Sequence, residues 1–388
     1  MNKAILNTLV QDFITKHLKS EKVKLLLKGS PFEDINIQEL VEQMETKKKA
    51  EHKLPTWFQT KNIYYPSKIS MEQTSSEITA AYKSKLVSGK TIADLTGGFG
   101  VDSYYFSKKI NQVYHFEIDK KLSEIASHNF KALHTNIICE NKNGIEAIKN
   151  KYFDVIYLDP SRRNASKGKV FYLKDCEPNL VEKLNYLLER TDKLVIKTSP
   201  MLDLSVGFKE LKKVNEIHIV SVNNEVKELL WIIEKNKETE CVIKTINIKN
   251  TILEKFTINN KYIPTVTIAL PKKYLYEPNA AIMKSGAFDA VSASFKVDKL
   301  ENNSHLYTSD VLIDFPGRKF LIEKVTPYSK KEMKKTIANS KANITIRNFP
   351  ESVEALRKKW NIVDGGNNYL FFTTLRQGKK VVLECTKI

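Results

Sequence analysis

The stretch Thr91-Ile92-Ala93-Asp94-Leu95-Thr96-Gly97-Gly98-Phe99-Gly100-Val101-Asp102 decides the fold. A β-prone run ends on an acid, passes three glycines within four residues and enters an amphipathic run. Glycines allow a tight turn and let a ligand approach the backbone, and the start of a helix offers unpaired N–H groups. Open α/β sheets bind their ligands at such a strand-to-helix turn.

Outward from this turn, short apolar runs alternate with amphipathic ones. Strands are expected at 91–95, 112–116, 136–139, 154–158, 194–197, 217–222 and 229–234, and helices at 102–109, 120–133, 144–150, 177–190 and 203–213. This alternation predicts a parallel sheet with helices on both faces. Residues 223–228 are too few for a parallel crossover, so the final strand must run antiparallel.

The flanks differ in character. Apolar residues at helical spacing (Leu6, Leu9, Val10, Phe13, Ile14, Leu18, then Ile35, Ile37, Leu40, Val41, Met44) predict a small helical domain over 1–85. Residues 86–236 form the α/β core. Residues 237–315 read as a linking β-rich, small α+β (ferredoxin-like) region, with strands at 242–248 and 266–270 and a helix at 280–291. Residues 316–388 read as a last α+β module: strand 318–325, helix 329–340, strand 343–347, helix 351–360, a hairpin turning at Asp364-Gly365-Gly366-Asn367, and strand 380–385.

The 388 residues hold 63 Lys and Arg against 45 Asp and Glu, a net +18. The excess is uneven: net +5 over 1–90, +1 over 91–240 and +12 over 241–388. A lysine-rich proteome would raise the middle as well, so the asymmetry points to a polyanion, and nucleic acid is the usual one. Basic residues in the last module include Lys334, Lys335 and Arg347, which could contact phosphates or form a solvated face. Apolar runs are too short to span a bilayer. The four cysteines form no framework, which predicts a reducing, cytoplasmic setting, and no histidine spacing supports a metal.

Two cofactors compete for the glycine turn. A dinucleotide fingerprint wants Gly or Ala where this chain has Ser103, and its pyrophosphate would face Asp94. S-adenosylmethionine carries an ammonium group, a ribose and an adenine but no phosphate, and suits Asp94 better. Glu117, 17 residues after Gly100, is placed to hold ribose hydroxyls, with Ile118 beside it. The cofactor candidates are Asp94, Thr96, Gly97, Gly98, Gly100, Asp102, Glu117, Ile118 and Asn143, whose amide oxygen could accept from the adenine amine. Gln73 and Ser75 could reach the methionine end, or the serines there could cap a helix.

Strand four ends in Asp159-Pro160-Ser161-Arg162-Arg163. With the glycine turn and Glu117, this resembles the class I S-adenosylmethionine-dependent methyltransferases over residues 90–235, a Rossmann-like seven-stranded sheet. The whole chain resembles a bacterial family of RNA methyltransferase-like proteins ending in a THUMP-like domain. The matching pieces are Asp159 to Arg163, Asn224-Glu225 with Lys227-Glu228, Glu277-Pro278-Asn279-Ala280-Ala281 and Asp364-Gly365-Gly366. The resemblance implies methyl transfer to a base in structured RNA, rRNA or tRNA. Enzymes that methylate exocyclic amines carry a second proline and an aromatic where Ser161 and Arg162 stand, so a ring atom is the expected target. Asp159, Pro160 and Arg162 would form the catalytic corner, and Arg163 and Lys197 would contact substrate. The arginines could hold phosphate or base, or pair with a carboxylate. Cys176 is either a nucleophile or buried packing. A catalytically silent RNA-binding protein and an NAD-dependent oxidoreductase are the rival functions.

Overall fold

The computed structural model describes residues 1–162, 172–250, 252–259 and 266–388. The chain divides into two compact units, one of 1–215 with 229–239 and the other of 216–228 with 240–388.

The first unit holds strands β1 (Thr91–Asp94), β2 (Gln112–Phe116), β3 (Ile138–Glu140) and β4 (Phe153–Leu158), a short ribbon of β5 (Ser161–Arg162) with β6 (Cys176–Glu177), and β7 (Thr191–Thr198). β8 (Glu216–Val222) and β9 (Glu225–Glu234) follow as a hairpin, then β10 (Val242–Lys249) and β11 (Ile252–Asn259). β1, β2, β3, β4 and β7 pair in parallel, while β9 runs antiparallel to β7, as the short 223–228 connection requires. The hydrogen-bonded order is β11-β10-β8-β9-β7-β4-β1-β2-β3. The sheet therefore has nine strands, not the expected seven. The two extra strands come from residues assigned in sequence to a linker: β10 pairs parallel to β8 and carries β11 as a hairpin. Residues 155–158 of β4 are all buried, as expected of a strand covered on both faces.

Ahead of β1 lie six helices: α1 (Thr8–Lys16), α2 (Lys22–Lys28), α3 (Ile37–Lys53), α4 (Pro55–Gln59), α5 (Lys68–Gln73) and α6 (Glu77–Lys83). They are not a free-standing domain. Their buried side chains form one cluster with Phe99, Val101 and Tyr104 of the glycine turn and α7 (Val101–Phe106), and with Ile125, Ala126 and Phe130 of α8 (Lys120–Ala132). Trp57, fully buried, meets Tyr104 edge-on at 4.8 Å. The buried Asn129 amide accepts from Tyr64 N at 3.0 Å and donates to Tyr64 O at 2.9 Å, pairing helix α8 with an extended segment. The helices α9 (Gly144–Ala147), α10 (Leu180–Leu188) and α11 (Leu204–Leu211) complete the alternation.

Besides β8, β10 and β11, the second unit contains β12 (Tyr274–Pro278), α12 (Ala280–Ser285), α13 (Phe288–Phe295), β13 (Asp298–Lys299), β14 (Tyr307–Ser309), β15 (Gly317–Pro327), α14 (Lys330–Thr336), β16 (Asn343–Arg347), α15 (Val353–Trp360), β17 (Asn368–Thr374) and β18 (Lys380–Lys387). The single helix expected over 280–291 is broken at Gly286, whose φ of +69° lies in the left-handed region. Residues 266–270 form no strand; Ile268 makes only an isolated bridge to Lys299. Nor does β17 form the expected hairpin across the Gly365-Gly366 turn: it lies parallel to β16 and antiparallel to β18. The order β13-β14-β12-β15-β18-β17-β16 joins residues on both sides of 316 in one sheet, so the sequence boundary there does not separate two sheets. Phe371 and Phe372 are both fully buried, facing opposite sides of it.

Candidate active site

The glycine turn is built from beneath. A Cβ at Gly97 would lie 2.2 Å from the His115 ring, and one at Gly100 would lie 2.4 Å from Phe130, so both positions exclude a side chain. Gly98 faces the other way, with open space around it: an added Cβ would meet nothing nearer than Thr96 O at 3.9 Å. The turn is thus packed on its inner side and open on its outer side.

Glu117 bridges the turn to the end of β2. Its carboxylate accepts from Gly98 N at 2.8 Å and from Asp119 N at 2.7 Å, and each oxygen keeps capacity for a further bond. Asn141 fixes the same segment by donating to Glu117 O and Ile118 O. Ile118 is 72% exposed beside it. A half-exposed carboxylate resting on the turn can take ribose hydroxyls. The residues present therefore fit the nucleoside part of a cofactor.

Other cofactor candidates fall differently. Asp94 does not face outward: it is 1% exposed, accepts from Ser103 Oγ at 2.6 Å and Thr96 N at 3.2 Å, and burial pushes its carboxyl up to about 8. It does not present a carboxylate to a ligand's ammonium. Asp102 and Ser75 are also turned inward. Ser75 Oγ and Tyr157 Oη donate to Asp102, and the buried Lys83 ammonium lies 3.1 Å from the same carboxylate. This cluster ties α6, α7 and β4 together, because a buried charge must be paired. Ser75 serves the cluster, while Ser76 is the helix cap. The Asn143 amide oxygen caps α9, accepting from Ile145 N and Glu146 N. That use competes with the expected adenine contact. Gln73 is exposed at the end of α5.

At the edge of β4 the Asp159 carboxylate is ion-paired with the Lys197 ammonium at the end of the neighbouring β7. Asp159 N donates to Thr96 Oγ1 at 2.7 Å, which joins this corner to the glycine turn. Pro160 is buried behind it. The backbone of Arg162 pairs with Cys176, and Arg163 lies outside the described residues. Cys176 is fully buried with its thiol against Tyr172 O, which is packing rather than a nucleophile's exposure.

In the second unit, Arg347 is engaged by Glu277. This carboxylate, 3% exposed, pairs with Arg347 at 2.7 Å on one oxygen and with Arg318 on the other. Arg347 is thus held in a structural ion pair instead of standing ready for phosphate. Lys334 and Lys335 are exposed in the last turn of α14. Asn224 Oδ1 accepts from Ala280 N and Asn279 caps α12, so the Asn224 and Glu277-Pro278-Asn279 motifs meet within one unit.

A parallel sheet whose β1 ends in a glycine turn rimmed by the Glu117 carboxylate, with an acidic corner after the neighbouring β4, is a Rossmann-like methyltransferase fold. Comparison places the chain further. The candidate methyltransferase from Porphyromonas gingivalis W83 is 32% identical, matches 99% of this chain and 98% of its own length, and superposes with a TM-score of 0.88. The chain belongs to the family of that protein. Profiles described as a ferredoxin-like domain and as THUMP domain-like match residues 274–316 and 317–387. The Pyrococcus abyssi tRNA (uracil-54, C5)-methyltransferase, solved with S-adenosyl-L-homocysteine, is 21% identical over 44% of this chain and 40% of its own, with a TM-score of 0.32. The Thermus thermophilus 16S rRNA N2 G1207 methyltransferase, solved with AdoMet and guanosine, is 16% identical over 44% of each chain, with a TM-score of 0.31. No curated protein matches the chain.

Proposed function

We propose that the protein transfers a methyl group from S-adenosylmethionine to a base in structured RNA. The observation that carries this reading is the Asp159–Lys197 pair, joined through Thr96 to a turn whose outer side is open and rimmed by Glu117. When bound, the cofactor supplies an electrophilic methyl on a sulfonium, which leaves with its electron pair on sulfur.

The chain's own groups do the rest. Glu117 would take the ribose hydroxyls, and the exposed Ile118 beside it would offer an apolar surface to the adenine. Asp159 accepts a hydrogen bond or the proton released by the methylated base, and Lys197 beside it balances negative charge building on a base oxygen. Arg162 and Arg163, which follow Pro160 and Ser161 in the sequence, are assigned to substrate contact on their charge alone. The net +12 over 241–388 supplies a sequence-independent attraction for the RNA backbone, with Lys334 and Lys335 among the contacts. The absence of a second proline and an aromatic after Pro160 favours a ring atom over an exocyclic amine. A reducing cytoplasm, where RNA and unpaired thiols both persist, is the setting that fits.

Two measurements test this. Calorimetry should show binding of S-adenosylmethionine and none of NAD. Nucleoside mass spectrometry of rRNA and tRNA should show one methylated species lost with the gene and restored by the purified protein. Cofactor binding with no methylated product in either RNA would favour a silent RNA-binding protein.

A further inference from the structure

We infer that His115 and Ser103 are positioning residues that hold the cofactor turn and the Asp159 corner in register, through Asp94 and Thr96. The inference rests on reading the turn as the cofactor site.

His115 is fully buried in the middle of an apolar strand, where nothing in the proposed chemistry uses it. Its ring occupies the space under Gly97 and stands edge-on to Phe130 at 5.2 Å, and Phe130 in turn lies under Gly100. Two rings thus support two glycines from below. An apolar ring could do that much. The imidazole does more: Nδ1 lies 3.0 Å from Ser103 Oγ, and the serine is 2.6 Å from Asp94 Oδ2. Asp94 Oδ1 then accepts from Thr96 N, and Thr96 Oγ1 accepts from Asp159 N. The connection is continuous from the core of β2, across α7 and the end of β1, to the corner after β4.

A serine hydroxyl has one proton, so it can donate in one direction while it accepts from the other. His115 gives the hydroxyl a defined second partner, and that fixes which way Ser103 faces Asp94. Asp94 in turn sets the Thr96 backbone, the first residue of the turn. Burial keeps the imidazole neutral, pushing it down to about 3. The charged groups acting on Asp94 are Asp102 on α7 and Asp159 after β4. Among the described residues, His115 Nε2 has no hydrogen-bond partner. A buried donor or acceptor without a partner is costly, and an apolar residue would avoid that cost if the ring only filled space.

Two substitutions separate relay from packing. His115→Phe keeps a ring under Gly97 and removes both nitrogens. His115→Asn loses the ring and places an amide near the Nδ1 position. Binding of S-adenosylmethionine would be measured by calorimetry on variants shown to be folded by circular dichroism. The relay predicts that His115→Phe and Ser103→Ala each weaken binding about tenfold, while His115→Asn stays within about threefold of the parent. Parental affinity in His115→Phe or Ser103→Ala would overturn it, as would an equal loss in His115→Phe and His115→Asn. Should His115→Phe fail to fold, Ser103→Ala decides alone. If the parent itself binds no cofactor, the proposed function fails, an outcome distinct from all of these.

Discussion

The carboxylate of Glu117 accepts the backbone N–H of Gly98 at 2.8 Å, so the end of β2 and the outermost glycine of the turn are held by one charged hydrogen bond. The acid both shapes the turn and rims its open side. Hydrogen bonds to charged groups contribute about 1.5–3 kcal/mol. Glu117→Ala should therefore weaken S-adenosylmethionine about 10- to 100-fold by calorimetry, and Glu117→Gln, which keeps one oxygen, should lose less.

The proposed function gives Asp159 a part in the chemistry and none in holding the cofactor. Asp159→Asn should leave cofactor affinity unchanged within about twofold and lower methyl transfer roughly 100-fold or more in single-turnover assays. Full methyl transfer by Asp159→Ala to its true RNA would refute the assignment. Lys197→Met, which leaves the carboxylate without its partner, should also lower turnover.

Gly100 has a φ of +88° and stands on Phe130. Gly100→Ala adds both backbone strain and overpacking, which together cost about 2–4 kcal/mol. Urea denaturation should show that loss, with a lower midpoint and the same slope.

Stability against pH should carry the mark of Asp94 and His115. Asp94 is raised to about 8, so the folded state holds a proton that the unfolded chain gives up near 4, and stability falls as pH rises between those values. His115 is lowered to about 3, so the unfolded chain holds the extra proton below about 6.5, and stability rises with pH from 3 to 6.5. The two slopes oppose each other between about 4 and 6.5. Above 6.5 the Asp94 slope stands alone, roughly 2 kcal/mol by pH 8. Asp94→Asn should flatten that decline in urea melts taken from pH 6.5 to 8.

Glu277 lies buried between Arg318 and Arg347. Glu277→Gln leaves two guanidinium groups without their counter-charge and should destabilise the second unit by about 2–4 kcal/mol. Cofactor affinity should not change, because the turn lies in the other unit.

Much of this architecture could be read from the chain. The alternating runs gave the parallel strands, and the six residues at 223–228 gave the reversed one. Residues 242–249 looked like a linker because the strand they pair with precedes them by a whole hairpin, a relation that no local pattern carries. The N-terminal helices showed their apolar faces but not what those faces cover. In the site, Glu117 and Asp159 stood out by position after a strand. His115 did not, since a lone histidine in an apolar run has no spacing to mark it. Ser103 was visible only as a departure from glycine. Asn143 before Gly-Ile-Glu is a legible helix cap, and that local role claims the amide oxygen first. The Glu277–Arg347 pair spans 70 residues and needed coordinates.

In the seven-stranded sheet, Lys380–Lys387 lies between Gly317–Pro327 and Asn368–Thr374. During synthesis those two earlier segments therefore emerge with unsatisfied edges and wait for a partner made after both. Until it arrives, one edge of each of these strands stays open beside Phe320, Phe371 and Phe372, a place for a nascent-chain chaperone to act.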